Sequence, residues 1–257
     1  MVCTVNIIKR FLSIAWCVVW LFLVWATPIQ AEPLNWSYEG ATNPTAWGSL
    51  TAKYSLCQTG VAQSPIDLPQ IGNSESNPSS MEFNYQPSLL HIVNNGRTVQ
   101  VNYDPGSNIQ IEGEEYQLVQ FHFHLPSEHT TAGKASAMEL HLVHRSKMEN
   151  IAVVAVAIEP GEANGTIETV LQYLPLRNSS DNPKIKINAE DLLPKDTAHW
   201  SYRGSLTTPP CSEDVIWEVF TQSIYLSPQQ IATFANLYSG NARPTQPNNN
   251  RRIEFYQ

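Results

Sequence analysis

The run Gln120-Phe121-His122-Phe123-His124 is followed a short way on by Glu139-Leu140-His141-Leu142-Val143-His144. Alternate side chains of a β-strand face the same way. His122 and His124 therefore share one face with Gln120, while Phe121 and Phe123 take the other. Two imidazoles about 7 Å apart along a strand, with a third on a neighbouring strand, form the open three-nitrogen cradle of a catalytic zinc site. A lone histidine on an apolar strand is more often a buried structural residue. A pair on one face among aromatics is costly to bury without a shared partner, and a metal ion supplies one.

Parity favours a third ligand without deciding it. If residues 139–144 form a regular strand, Glu139, His141 and Val143 share a face, and Leu140, Leu142 and His144 share the other. Only His141 then has a carboxylate two residues away on its own side. A metal-bound histidine usually donates its second ring N–H to such a group, and Gln120 stands in the same relation to His122. The expected metal set is His122, His124 and His141, with His144 structural. Three neutral imidazoles leave a fourth position for water, which suits hydrolysis or hydration. Iron sites favour two histidines and a carboxylate, whereas copper also accepts imidazole.

The elements that would carry these residues are mostly strands. Short apolar or alternating runs recur at 89–93, 98–103, 116–125, 138–144, 151–158 and 215–226. The run 151–158 is apolar on both faces and reads as a central strand. Ser227-Pro228 opens a helix over 229–238, with serine as N-cap and proline in the first turn; 166–173 is a second, shorter helix. Residues 73–80 and 178–183 read as polar loops. The fold class is β-rich, mainly β or α+β, in one domain with a few surface helices.

The first 31 residues read as a secretory leader. Lys9 and Arg10 precede an apolar run, Phe11 to Trp25, which ends in Ala26-Thr27-Pro28-Ile29-Gln30-Ala31. An uncleaved anchor is the rival reading, although the run spans only about 22 Å of helix. Cleavage after Ala31 leaves 32–257 as a periplasmic or secreted domain with no stable membrane insertion. The formal charge of −8 loses Lys9 and Arg10 and becomes about −10. Such an acidic surface argues against nucleic acid as a partner. Cys3 and Cys17 leave with the leader, and the remaining pair, Cys57 and Cys211, is expected to form a disulfide in an oxidising compartment.

At this point the chain resembles the α-class carbonic anhydrases of exported bacterial type over most of its mature length. The resemblance is carried by Trp36-Ser37-Tyr38, Gln63-Ser64-Pro65-Ile66-Asp67, Asn94-Asn95-Gly96, Gln120 to His124, Ser127-Glu128-His129, Glu139 to His144, Gly204 to Pro210, Trp217 and Asn241-Ala242-Arg243-Pro244. It implies a large, mostly antiparallel sheet of about ten strands and reversible hydration of carbon dioxide to bicarbonate by a zinc-bound hydroxide. It implies Zn2+ on His122, His124 and His141, with Gln120, Glu139 and the carbonyl of Asn241 as their partners in that order. Thr207 would take a hydrogen bond from the nucleophile and pass its own to Glu128, and Thr208 would help hold bicarbonate. Val143, Val153, Leu206 and Trp217 would form the apolar substrate wall, with Tyr38, Asn95 and Gln100 near the cleft. His129 matches a buried structural histidine, Cys57 and Cys211 match the disulfide of exported members, and sulfonamides and small anions are the expected inhibitors.

One position departs from the family pattern. Fast members place a proton-shuttling histidine just after the Asn-Gly pair, where this chain has Arg97. Arginine stays protonated at working pH and cannot shuttle. Hydration is therefore expected to be limited by proton transfer to buffer. Two other functions fit the residues less well. A non-catalytic binding module usually lacks a zinc ligand, and all three are present. A metal-dependent esterase needs a defined acid for its leaving group, and none is evident.

Overall fold

The computed structural model describes residues 36–71, 76–79, 81–238 and 240–257. The expected leader lies outside the described residues. No described helix is long and apolar enough to cross a membrane.

Nine strands of four or more residues are labelled in chain order: β1 (His91–Asn94), β2 (Val99–Asn102), β3 (Asn108–Ile111), β4 (Glu114–His124), β5 (Met138–Ser146), β6 (Ile151–Pro160), β7 (His199–Ser205), β8 (Glu213–Phe220) and β9 (Ile253–Tyr256). With four shorter strands they build, among the described residues, one sheet of thirteen, ten of which form its continuous path. The order along that path is Ser179–Asp181, β1, β2, β4, β5, β6, β8, β7, β9, Ser76–Asn77. Pairing is antiparallel except where β6 meets β8, where β6 meets Ile224–Leu226, and where β9 meets Ser76–Asn77. The central strand β6, rich in β-branched residues, is buried along most of its length, as its two-sided apolar run requires.

Strand β4 contains the local event that aims the histidines. Leu118 pairs with His144 and Gln120 pairs with Val143, so Val119 is left without a partner on β5. This bulge reverses the alternation along the strand. Tyr116 and Leu118 point into the main core before it, and Phe121 and Phe123 point there after it. Gln120, His122 and His124 are thereby turned to the opposite face. Phe123 is anchored from behind by Phe234, at 4.7 Å between rings.

Phe234 belongs to helix α2 (Pro228–Leu237), which follows the shorter α1 (Gly165–Gln172). Ser227 caps α2: its hydroxyl takes the Gln230 N–H while the Gln230 side chain returns to the Ser227 N–H. A cap of this kind contributes about 1 kcal/mol.

Several elements differ from the sequence reading. The loop expected at 178–183 contains Ser179–Asp181, which pairs with β1 as the sheet edge. The loop at 73–80 contains Ser76–Asn77, paired with β9. Strands β3, β7 and β9 were not anticipated at all. The Cys57–Cys211 disulfide is formed and closes a separation of 154 residues. A loop of that length gives about 4–5 kcal/mol in the chain-entropy view.

Candidate metal centre

Register brings the cluster together. His141 lies directly opposite His122, and Glu139 lies opposite His124. Directly paired residues of an antiparallel ladder share a face. The three rings stand 4.5 to 5.3 Å apart between centroids.

Each ring is oriented through one nitrogen. His122 Nδ1–H donates to Gln120 Oε1 at 2.9 Å, His124 Nδ1–H to the Asn241 carbonyl at 2.7 Å, and His141 Nε2–H to Glu139 Oε1 at 2.9 Å. Because the partners are acceptors, these nitrogens carry the protons. Nε2 of His122, Nε2 of His124 and Nδ1 of His141 are left bare. The ligand atoms of the three residues lie within 4.8 Å of one another. Burial pushes all three imidazoles down in pKa, His124 to about 4. Neutral, converging, pre-oriented imidazoles are what a divalent metal of borderline softness takes. His124 Nε2 is buried with no hydrogen-bond partner. The site fits a metal ion on the chemistry of its own donors.

The carboxylates around it are divided in role. Glu139 Oε1 also accepts from His129 Nδ1–H at 2.6 Å, and Oε2 accepts the backbone N–H groups of Glu128 and His129 at 2.8 Å each. Burial raises its pKa, but His129 and His141 outweigh that and hold it well below the usual range. Glu128 Oε1 accepts the Arg243 N–H at 2.8 Å, while Oε2 lies 3.5 Å from His124 Nε2. Burial lifts Glu128 to about 7, against the opposing pull of His141, the Arg243 N–H and the Thr207 side chain. Glu128 Oε2 is buried with no hydrogen-bond partner.

Thr207 is buried and Thr208 half-buried on the turn after β7. That turn is tied by Leu206 N–H to Ser212 O at 2.9 Å and Cys211 N–H to Thr208 O at 2.9 Å. The apolar positions form a row across the sheet: Gln120 pairs with Val143, Val143 with Val153, Val153 with Trp217, and Trp217 with Tyr202. Leu206 packs against the same cluster. Trp217 stands 4.9 Å from the His141 ring and donates Nε1–H to Ser205 O at 3.0 Å.

Other named positions serve other ends. His144 turns into the core, its Nε2 2.7 Å from the Tyr85 hydroxyl. Arg97 donates from Nε and Nη2 to Trp36 O at 3.2 and 3.1 Å and stacks over the Trp36 ring at 4.2 Å. Tyr38 packs edge-on against Trp36 and Trp47, and burial raises its phenol well above the ordinary value. Asn95 is exposed, and its Oδ1 accepts the N–H groups of Arg97 and Thr98 at 2.9 Å each, closing its own turn. Gln100 pairs across from His122 and donates to Asn102 Oδ1 at 2.6 Å.

Asn241 does more than offer its carbonyl. Its Oδ1 accepts the Leu125 N–H at 2.7 Å, and Nδ2 donates to Arg97 O and Phe123 O. Sequence reasoning missed the support behind Glu139: His129 Nε2 meets the Tyr202 hydroxyl at 2.7 Å, which bonds Ser64 Oγ at 2.8 Å. Ser64 and Ser205 then bond reciprocally, each N–H to the other's Oγ, at 2.9 and 3.1 Å. The signal was present in Gln63-Ser64-Pro65-Ile66-Asp67, a conspicuous motif with no catalytic residue in it.

Fold and cluster together define an enzyme built on one large, mostly antiparallel sheet, with a three-histidine centre on the face opposite its main core. The comparisons carry this to a family. The model for "Eukaryotic-type carbonic anhydrase" matches residues 42–257. A carbonic anhydrase from Nostoc is 44% identical over 232 residues, 88% of each chain. The α-carbonic anhydrase of Thermovibrio ammonificans, solved with sulfanilamide, superimposes with a TM-score of 0.83 at 36% identity, over 86% of this chain and 98% of that one. A hyperthermostable carbonic anhydrase from a hydrothermal vent chimney gives 0.82 at 42% identity, over 87% and 100%. The chain belongs to the eukaryotic-type, or α, carbonic anhydrases, a family of lyases.

Proposed function

We propose that this chain catalyses the reversible hydration of carbon dioxide to bicarbonate with Zn2+ held by His122, His124 and His141. The observation that carries the proposal is the set of three bare nitrogens, each opposite a nitrogen already committed to an acceptor. A zinc ion there would supply Lewis acidity that lowers the pKa of water to about 7, a value taken over from carbonic anhydrases themselves.

The chain's own residues then do the orienting. A hydroxyl both donates and accepts, whereas an ionised carboxylate only accepts. Thr207 can therefore take a hydrogen bond from the attacking oxygen only if it gives its own to Glu128, which fixes the direction of the oxygen lone pair. A cation bound at the three histidines would favour the ionised form of Glu128. Thr208 helps hold bicarbonate. The Val143, Val153, Leu206 and Trp217 wall keeps one side of the site dry, suited to a small apolar substrate.

Arg97 stands at the position of the family's proton shuttle and carries a fixed charge. Its guanidinium is engaged with Trp36. We infer that the proton leaves by way of buffer. Residues 1–31 serve as an export leader, and 32–257 act as a periplasmic or secreted catalytic domain. Sulfonamides and small anions would act as inhibitors.

Carbon dioxide hydration on purified protein, with and without a zinc chelator, tests the proposal. Activity that survives complete metal removal overturns it.

A further inference from the structure

A second buried polar cluster lies on β7 and β8, on the face of the sheet away from the histidine centre. His199 and Glu218 are each 3% exposed and line a cavity of about 240 Å3 with Ser201 and Tyr256. His199 Nδ1–H donates to the Thr197 carbonyl at 2.7 Å, which assigns its proton. Nε2 of the neutral ring is then an acceptor. It faces Glu218 Oε2, a second acceptor, at 3.3 Å. Glu218 Oε1 is already occupied by the Ser201 hydroxyl at 3.2 Å, and Oε2 has no hydrogen-bond partner. Tyr256 stacks flat on the imidazole at 5.3 Å and holds the ring in place.

Two buried acceptors at that separation repel unless a proton lies between them. It can sit on the ring, giving a buried ion pair, or on the carboxyl, giving a neutral pair. Burying a pair of charges costs several kcal/mol per ion before any gain. The surroundings lean the same way. Glu112 from the turn after β3 and Glu254 on β9 both disfavour a charged Glu218, while Arg203 on β7 opposes them. Of the remaining charges lining the cavity, Arg252 is paired with Glu254 at 2.6 Å, and Arg251 is spent on backbone carbonyls.

We propose that Glu218 is a neutral carboxylic acid donating its proton to His199 Nε2, and that its ionisation in alkaline medium loosens the β7–β8 pair that carries the Thr207 turn. The cluster is thus a pH-sensitive latch outside the catalytic centre. Burial raises Glu218 to about 8 and lowers His199, both toward the neutral pair.

The sign follows from linkage. The folded chain keeps a proton that an unfolded glutamate releases near pH 4.3. Stability from this group is complete below that value and is lost as pH rises through about 8. His199 is present in wild type and E218Q alike, so the difference between the two from about pH 6.5 to about pH 9 isolates Glu218.

The test is thermal unfolding of the zinc-loaded protein and of E218Q across that window. The amide of E218Q can donate to His199 Nε2 and accept from Ser201 at any pH. The wild-type midpoint is expected to fall by several degrees more than that of E218Q. Parallel curves would overturn the proposal. Should E218Q fail to fold, 15N NMR of wild-type His199 at neutral pH decides. A neutral ring with Nδ1–H and bare Nε2 supports the latch, and an imidazolium overturns it.

Discussion

Glu139 reaches His141 along its own strand and takes the ring's Nε2–H at 2.9 Å, while the same oxygen accepts from His129 at 2.6 Å. One carboxylate thus sets the tautomer of a proposed ligand and is itself held by four donors. Converting it to an amide keeps the volume but replaces two acceptor lone-pair sites with N–H groups. Glu139→Gln is predicted to weaken zinc binding by about 10–100-fold, the usual range for such partners. Competition against a chromogenic chelator reads this directly, and an unchanged affinity would remove Glu139 from the account.

Thr207 is buried beside Glu128, whose carboxyl lies 3.5 Å from His124 Nε2. Thr207→Val keeps the shape and removes both the donor and the acceptor. The proposal predicts a loss of about 100-fold in kcat/KM for hydration, with zinc content unchanged. A variant as fast as wild type would show that the Thr207–Glu128 pair does not orient the nucleophile.

Gly204 touches Ser64 more closely than any other residue could. A Cβ there would fall 2.1 Å from Ser64 Oγ, 2.8 Å from the Tyr202 ring and 3.0 Å from Trp217. Gly204→Ala is predicted to cost about 1–3 kcal/mol in urea unfolding, in line with overpacking elsewhere. Because those three groups back the proposed zinc ligands and the Thr207 turn, activity should fall with stability.

Arg97 offers a test of the proton route. If regeneration is limited by transfer to solvent, wild-type turnover should rise with imidazole concentration. Arg97→His should turn over faster than wild type in dilute buffer and respond less to added imidazole. Turnover independent of buffer in the wild type would place an efficient shuttle elsewhere on the cleft.

How legible this site was depends on which residues are considered. His122, His124 and His141 could be read because strand alternation is a two-residue rule, and both orienting side chains lie two residues from their rings. The Val119 bulge was invisible, since an extra residue in one strand is defined by its partner strand. The Asn241 carbonyl has no side-chain signature and came only from the family resemblance. Strand β7 was missed although His199-Trp200-Ser201-Tyr202-Arg203 alternates polar and aromatic residues, because the run is short and has no β-branched residue. The structure bears out the alternation: Trp200 and Tyr202 pack in the apolar cluster near the centre, while His199 and Ser201 meet Glu218 on the other face. Support such as His129–Tyr202–Ser64 joins residues up to 138 apart in sequence, a separation local patterns do not reveal.

The central claim is that one zinc ion, held by His122, His124 and His141, makes this chain a carbon dioxide hydratase. Zinc titrated into metal-free protein, with bound zinc and hydration rate followed together, tests it most directly. The account predicts activity that rises linearly and stops at about one equivalent per chain. Hydration in the metal-free protein, or stoichiometric zinc binding without any gain in rate, would contradict it.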